Sequence, residues 1–291
     1  MSLRSLLEAG EFAVTAEVGP LKGTSTTEIE EVAELLQGKV DAVNVTDQQS
    51  AVMRLGSLAT CHMLKDKGLD PVFQMTCRDR NRLAMQSDLL SAAVLGIENV
   101  LALTGDLPSL GDHPQAKPVY DLDSVQLLWV IQRLGEGYDM AGNELEGKPS
   151  FFPGAVVNPG ADTEASFELQ IMKMEKKIAA GARFFQTQAI FDIGTLASFM
   201  ERVKGFGVPI LAGIIPLKSA GMARFMNKNI AGINVPEELI SRMAQAEDKV
   251  QSGIEIAAKT INELKDMCQG VHIMAMGWES KIPAILDAAG L

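Results

Sequence analysis

The feature that most constrains this chain is an eightfold alternation between two hydrophobic periods. Eight short segments are rich in apolar and β-branched residues: FAVTAEVG (12–19), DAVNVT (41–46), PVFQMTC (71–77), NVLALTG (99–105), FFPGAVVN (151–158), RFFQTQAIF (183–191), PILAGIIPL (209–217) and VHIMAMG (271–277). Each is largely apolar throughout instead of alternating, the pattern of a strand covered by helices. Helical patterns lie between them. Residues 26–37 follow a Ser/Thr cluster and place Ile29, Val32, Leu35 and Leu36 on one face. Further helices are expected over 48–66, over 81–95 up to Gly96, and over 123–135, opening on Asp-Ser and stopping at Gly135. Another is expected over 162–180 from Asp162, with Gly181 beyond its end, and one over 193–204 before Gly205. Residues 236–267 read as one helix or two, with Pro236 at a first helical position, and a last helix starts near Lys281 with Pro283 in its first turn. Regular strand–helix alternation is the signature of parallel βαβ units. Eight repeats within 291 residues fit a (β/α)8 TIM barrel as a single domain over 1–291. The rival, an open doubly wound sheet, wants a Gly-rich phosphate loop after the first strand, and GPLKGTST (19–26) is not GxGxxG.

Composition narrows the function. A formal charge of −11 repels phosphate backbones and anionic lipid, so nucleic acid is not an expected partner. A local Lys cluster could still meet an anionic ligand. No apolar run reaches the roughly 20 residues of a membrane span, and MSLRSLLEAGEF lacks the apolar core of a signal peptide. The three cysteines, Cys61, Cys77 and Cys268, form no CxxC, which points away from a disulfide scaffold or thiolate zinc site and toward a reducing cytoplasm. His62, His113 and His272 are scattered, so no metal site is expected, and His62 and His272 are expected to serve packing and hydrogen bonding. Two segments, 106–150 and 218–270, exceed simple connections; long βα loops of barrels usually belong to the site face.

Barrel chemistry sits at the C-terminal ends of the strands. Those ends present Glu17, Thr46 with Asp47, Thr76 with Cys77, Thr104-Gly105-Asp106, Asn158, Gln188, Lys218 and Trp278. Glu17 lies within an apolar strand. Burial away from a cation would favour its neutral form, which suits a general acid; the alternative is a structural pair with a Lys or Arg. Asp106 alone reads as a loop cap ahead of a site residue, and Gln188 as a structural amide as easily as a ligand contact. Lys173, Lys176 and Lys177 share one helix face by spacing, either as a solvated face or as a phosphate contact. Cys77 is expected to be inert, and the Met-rich stretch 222–226 to serve helix packing.

The ordered set TAEVGP, NVTDQQSA, QMTCRDRN, LALTGDLP, VYDLDS, VVNP, AAGARFFQTQAIFD, GIIPLKS and HIMAMGW resembles the methylenetetrahydrofolate reductase family over about residues 10–287. The most specific elements are TGDLP and the pattern GAxFxxTQxxFD at 181–192. The resemblance implies a flavin-containing (β/α)8 barrel that reduces 5,10-methylenetetrahydrofolate to 5-methyltetrahydrofolate by hydride transfer from flavin N5. Under it, Glu17 matches the general acid. Asp106 matches the carboxylate near flavin and pterin, Gln188 a folate contact, and Phe225 lies close to a folate-stacking aromatic. Thr46, Gly105, Asp121, Ala161, Lys176 and Lys177 match cofactor-holding positions, with Lys173 beside the two lysines. Gln74, Thr104, Gly154 and Asn158 stand where His, Arg, Tyr and His are common in the bacterial pattern, all around the flavin. The cofactor is therefore expected to be FAD, with FMN as the alternative, and the donor NAD(P)H or another reductant. The GWE ending, with Trp278-Glu279 in place of an Arg, resembles a branch whose catalytic subunit works with a metal-containing partner subunit. A homo-oligomer is the other arrangement left open.

Overall fold

The computed structural model describes residues 1–161 and 163–291. Its elements, in chain order, are α1 (Leu3–Ala9), β1 (Ala13–Val18), α2 (Thr27–Leu36), β2 (Ala42–Val45), α3 (Ser57–Asp66), β3 (Pro71–Thr76), α4 (Arg82–Val94), β4 (Asn99–Leu103) and α5 (Ser124–Glu136). There follow β5 (Phe152–Val157), α6 (Glu164–Ala179), β6 (Phe184–Ala189), α7 (Ile193–Val203), β7 (Ile210–Ile214), α8 (Ala220–Asn229), α9 (Glu237–Gln245), α10 (Lys249–Leu264), β8 (Gly270–Ile273) and α11 (Ile282–Ala289). All eight expected strands form. They pair in parallel, each with its sequence neighbour, and β1 closes on β8 to complete the barrel.

The uniformly apolar strands are explained by having two dry faces. Outward residues such as Val14, Val43, Phe73, Val100, Phe185 and Ile273 are buried under the helical ring. Inward residues at the N-terminal end form a separate floor of Ala13, Ala42, Val72, Leu101, Phe152, Phe184 and Leu211, closed from below by Leu3 and Leu7 of α1. Phe152 and Phe184 stack with ring centroids 5.2 Å apart. Gly154 is required there, because a Cβ on it would lie 2.2 Å from Phe184 Cζ.

Helix starts follow local capping chemistry. Asp123 and Gln126 form a reciprocal box at α5, as do Thr163 and Ser166 at α6. Asn81, Asp192 and Asp248 accept from backbone N–H groups at the starts of α4, α7 and α10.

Four expectations are corrected. The helix expected over 48–66 begins only at Ser57, because Gln48, Ser50 and Ala51 adopt positive φ of 52°, 56° and 57°. α5 runs through Gly135 and ends at Gly137, whose φ of 95° lets its N–H reach the carbonyls of Arg133 and Leu134. Pro236 precedes α9 as its cap instead of occupying the first turn. Finally, only the first part of 106–150 is a βα loop. Residues 138–150 follow α5 and so return along the N-terminal end, where Tyr138 and Glu144 pair in a β-bridge. Asp162, the expected start of α6, lies outside the described residues. The Met-rich stretch lies in α8 as expected, with Met226 in a small core shared with α9 and Met243. No helix among the described residues is long and apolar enough to cross a membrane.

Candidate active site

Above the floor the barrel interior turns polar. Asn44 and Gln186 face each other from β2 and β6 and exchange two amide hydrogen bonds, 2.8 and 3.0 Å long. Gln186 Nε2 also donates to Thr15 Oγ1 at 3.4 Å, and Thr15 Oγ1 lies 2.9 Å from His272 Nδ1. One layer higher stands Glu17. Gln49 Nε2 donates to its Oε1 at 3.2 Å, Gln74 Nε2 donates to its Oε2 at 3.4 Å, and His272 Nε2 lies 3.7 Å from Oε2. The expected structural alternative, pairing with Lys or Arg, does not occur among the described residues; the basic neighbour is an imidazole. The Glu17 side chain keeps 12% of its surface exposed, and Val156, inward on β5, is 36% exposed, so solvent reaches this layer through the mouth.

Thr46, inward beyond β2, is buried, and its Oγ1 has no hydrogen-bond partner among the described residues. Its neighbour Asp47 has a structural task. Its fully buried carboxylate accepts from Thr76 N and Oγ1 and from Arg80, at 2.8, 2.9 and 2.6 Å. A buried charge needs such partners, and they tie the end of β2 to that of β3. The strained turn at 48–51 then aims Gln49 inward. Strain of this kind costs about 1–3 kcal/mol per residue and persists only where neighbours hold it. Here Gly111 packs so closely on Ala51 that a Cβ would lie 1.8 Å from its carbonyl oxygen, and Asp112 accepts from Met53 N at 3.0 Å and pairs with Lys22. Three βα loops are thereby joined over one side of the mouth.

Across the ring, Gly105 has φ 93°, and a Cβ would sit 3.0 Å from both Arg78 Cβ and Thr76 Cβ. Tyr120 Oη donates to the Asp106 carbonyl at 2.8 Å and lies 3.2 Å from that of Gly105. This holds the backbone while the Asp106 side chain stays exposed and, among the described residues, makes no side-chain hydrogen bond such as a loop cap would show. Thr104 Oγ1 contacts Ser124 N and Oγ and so anchors the start of α5. Gln188 sits beside a register shift between β6 and β7, a feature that re-aims side chains near sites. Its Oε1 accepts from Ala189 N at 2.9 Å.

The remaining expected residues lie farther out. Asp121 is clamped by Arg82, through its guanidinium and backbone N–H, which holds its carboxyl down at about 2. Asn158 bridges Gly160 N and the Ala231 carbonyl, tying the loop after β5 to the end of α8. Ala161 is exposed on that loop. Lys173 and Lys176 are exposed on α6, whereas Lys177 turns inward and donates to the Val156 carbonyl at 2.7 Å. Burial, then the nearby Lys173 charge, pulls Lys177 down to about 8. Among the described residues none of these three lysines pairs with a carboxylate. Phe225 is 60% exposed on α8. Cys77 is buried and its thiol is pushed up to about 12 by that burial and then by Asp123, so it is inert as a nucleophile.

The structure thus brings Glu17 and Gln74 into contact, sets Thr46 on the next strand, and leaves the other positions on strand ends, on βα loops and on α6 and α8. It also adds Gln49 and gives His272 a place at the Glu17 carboxylate. The sequence signal for the layer beneath was present: Thr15, Asn44, Gln186 and His272 are polar residues at inward positions of otherwise apolar strands. A flavin-type ligand fits what is there. The orphaned Thr46 hydroxyl lacks a partner among the described residues, and the lysines of α6 offer charge for phosphate.

Comparison with known proteins adds an independent finding. The model of the family "Methylenetetrahydrofolate reductase" matches residues 2–290. A "Probable methylenetetrahydrofolate reductase (NADPH)" of Caenorhabditis elegans is 26% identical over 237 residues, 79% of this chain and 34% of that one. A "Methylenetetrahydrofolate reductase (NADH) 1" of Arabidopsis thaliana is 25% identical over 236 residues, 77% of this chain and 38% of that one. The chain spans only about a third of the length of these curated relatives. Among solved structures, a Clostridium thermocellum protein that binds two copies of 5-methyl-5,6,7,8-tetrahydrofolic acid superposes with a TM-score of 0.66 at 17% identity, covering 99% of this chain and 98% of that one. At that identity the likeness concerns the fold.

Proposed function

The chain belongs to the methylenetetrahydrofolate reductase family, and from that premise we propose that its barrel mouth reduces 5,10-methylenetetrahydrofolate to 5-methyltetrahydrofolate. The observation that carries this reading is Glu17: a carboxyl in the barrel mouth, met by two amide N–H groups and an imidazole, with no Lys or Arg among the described residues to pin it as a carboxylate. The conversion adds one proton and one hydride. Glu17 supplies the proton to N10 of the folate, which breaks the C–N10 bond of the five-membered ring and leaves an N5 iminium. The carboxylate of Asp106, unpaired among the described residues, stabilises that cation. Gln188 orients the pterin by its amide, and Phe225 offers an exposed ring for stacking.

A bound flavin would supply the hydride at the methylene carbon. Thr46, Gln74, Thr104, Gly105, Asp121, Asn158 and Ala161 are the positions assigned to hold it, with Lys173, Lys176 and Lys177 toward its phosphates. FAD is the first choice and FMN the second. NAD(P)H or another reduced donor recharges it, and the relatives' names include both nicotinamides. A tetrahydrofolate derivative is the substrate partner, the working assembly is a homo-oligomer or a pairing with a metal-containing subunit, and the reaction belongs in the cytoplasm.

The test is direct. Purified protein should carry a two-banded yellow chromophore, and mass analysis of the released cofactor identifies it. After anaerobic reduction, 5,10-methylenetetrahydrofolate should reoxidise it with formation of 5-methyltetrahydrofolate. Protein that binds folate yet holds no flavin and yields no product would sink this reading in favour of methyl transfer from the same mouth.

A further inference from the structure

His272 is only a neighbour of Glu17 in the function proposed above, yet its hydrogen bonds assign it a proton. Its ring is inward on β8, between Thr15 of β1 and Gly213 of β7, and only 3% exposed. Three groups surround Thr15 Oγ1: Gln186 Nε2 at 3.4 Å, the Val271 carbonyl at 3.4 Å and His272 Nδ1 at 2.9 Å. A hydroxyl donates once and accepts twice. The carbonyl can only accept and the amide nitrogen can only donate. All three contacts are hydrogen bonds together only if Thr15 donates to Val271 and accepts from Gln186 and from an Nδ1–H of His272. That tautomer turns the bare Nε2 of a neutral ring toward Oε2 of Glu17, 3.7 Å away. Two lone-pair atoms then face each other unless a proton lies between them.

We propose that His272 and Glu17 hold one proton in common, and that His272 is the positioning residue that reloads the acid. The inference rests on Glu17 acting as the general acid. With the mouth open, the shared proton rests on Nε2. When a ligand covers the mouth and removes water, two charges become costly and the neutral pair is favoured. The proton moves from Nε2 to Oε2, and substrate binding itself arms the acid. After Glu17 gives that proton to N10, one proton from solvent returns to Nε2 once product leaves, so the count closes at one per turnover. Among the described residues the ring's strand neighbours, Thr15 on β1 and Gly213 on β7, are uncharged, as are Gln186 on β6 and Asn44 on β2, which follow Thr15 in the hydrogen-bond chain. Beside Glu17 stand only the amides of Gln49 and Gln74. Glu17 is thus the one titratable contact of His272 among the described residues.

The chain has three histidines, so nitrogen-15 histidine NMR can resolve the ring directly. The expected spectrum shows hydrogen on Nδ1 at all pH values and an Nε2 signal that titrates and collapses to the neutral form in E17Q. An Nε2–H tautomer in the wild type, unchanged by E17Q, overturns the proposal. The kinetic arm uses H272Q and H272N. Oxidation of the reduced protein by 5,10-methylenetetrahydrofolate should slow about tenfold or more and lose its wild-type pH dependence, while reduction by the donor and folate affinity stay within about twofold. A wild-type rate and pH profile in both variants overturns it. Should neither variant fold, the E17Q spectrum on the intact ring still decides. If E17Q retains full folate reduction while its NMR shows the coupled ring, the acid role fails and the shared proton stands; the two failures are thus separable.

Discussion

The floor and the mouth of the barrel are built from the same strands, two residues apart, and they do opposite things. On the floor, Ala13, Ala42, Val72, Leu101, Phe152, Phe184 and Leu211 pack against Leu3 and Leu7 and exclude water. Two residues further along β1, β2, β3 and β6 come Thr15, Asn44, Gln74 and Gln186, and beyond Thr15 comes Glu17. Inward positions recur every second residue, so each strand moves from packing to polar chemistry without changing direction. The lesson is that the apolar end holds the ring closed while the polar layer, fully hydrogen-bonded, aims Glu17. Polar networks of this kind specify geometry only if every member is satisfied.

Variants at the two ends should separate stability from chemistry. The largest effect belongs to the mouth. Glu17→Gln should lower folate reduction by about 10²–10⁴-fold, the usual range for a general acid, and leave flavin bound. Stopped-flow reoxidation checks the rate and a urea melt checks that the fold is kept. The floor should answer the other way: Phe184→Ala opens a cavity and should cost about 3–5 kcal/mol in urea unfolding, with ligand affinity of the folded fraction retained. If Phe184→Ala instead abolished turnover at full stability, the division between the two ends would be wrong.

Intermediate effects fall on the layer between them. Gln186→Met strands the Asn44 amide and should cost about 1–3 kcal/mol. Adding Asn44→Leu should recover part of that loss, because both partners are then apolar. A double-mutant cycle by chemical unfolding measures the coupling. The smallest effect concerns Lys177. Its folded value of about 8 lies below the ordinary 10.5, so the folded state binds fewer protons than the unfolded chain between those values. Stability should therefore rise as pH goes from about 8 toward 10.5, and the burial penalty is fully present below 8. A phosphate placed beside Lys177 would draw its pKa back up. Cofactor binding near pH 8.5 should then take up protons, which calorimetry in buffers of different ionisation enthalpy detects.

Much of this architecture was legible in the chain. The eight apolar segments predicted the closed parallel ring, because strands dry on both faces must lie between a filled interior and a helical coat. Asp123, Asn81 and the Gly residues past helix ends marked boundaries to within a few residues. What failed was local conformation set from outside. Residues 48–56 carry apolar side chains at helical spacing, yet Ala51 is held at positive φ where Gly111 of a loop sixty residues later packs on it. Gly135 looked like a stop, but the residue free to turn left-handed and close the carbonyls was Gly137. At the site, Glu17 was visible as an acid in an apolar strand. Gln49 was not, because its aim depends on that strained turn, and Lys177 could not be told apart from Lys173 and Lys176 by spacing alone.

Periodicity and residue type by themselves determined the ring, its strand order and which strand carries each polar side chain, since the 3.6 and 2.0 repeats are properties of the local backbone. Only the closed tertiary structure decided who meets whom across it. Thr15, Gln186, Asn44 and His272 are up to 257 positions apart in hydrogen-bonded pairs. Their hydrogen bonds exist because curvature brings β1, β2, β6 and β8 around one dry axis, where an unpaired polar group would be too costly to keep.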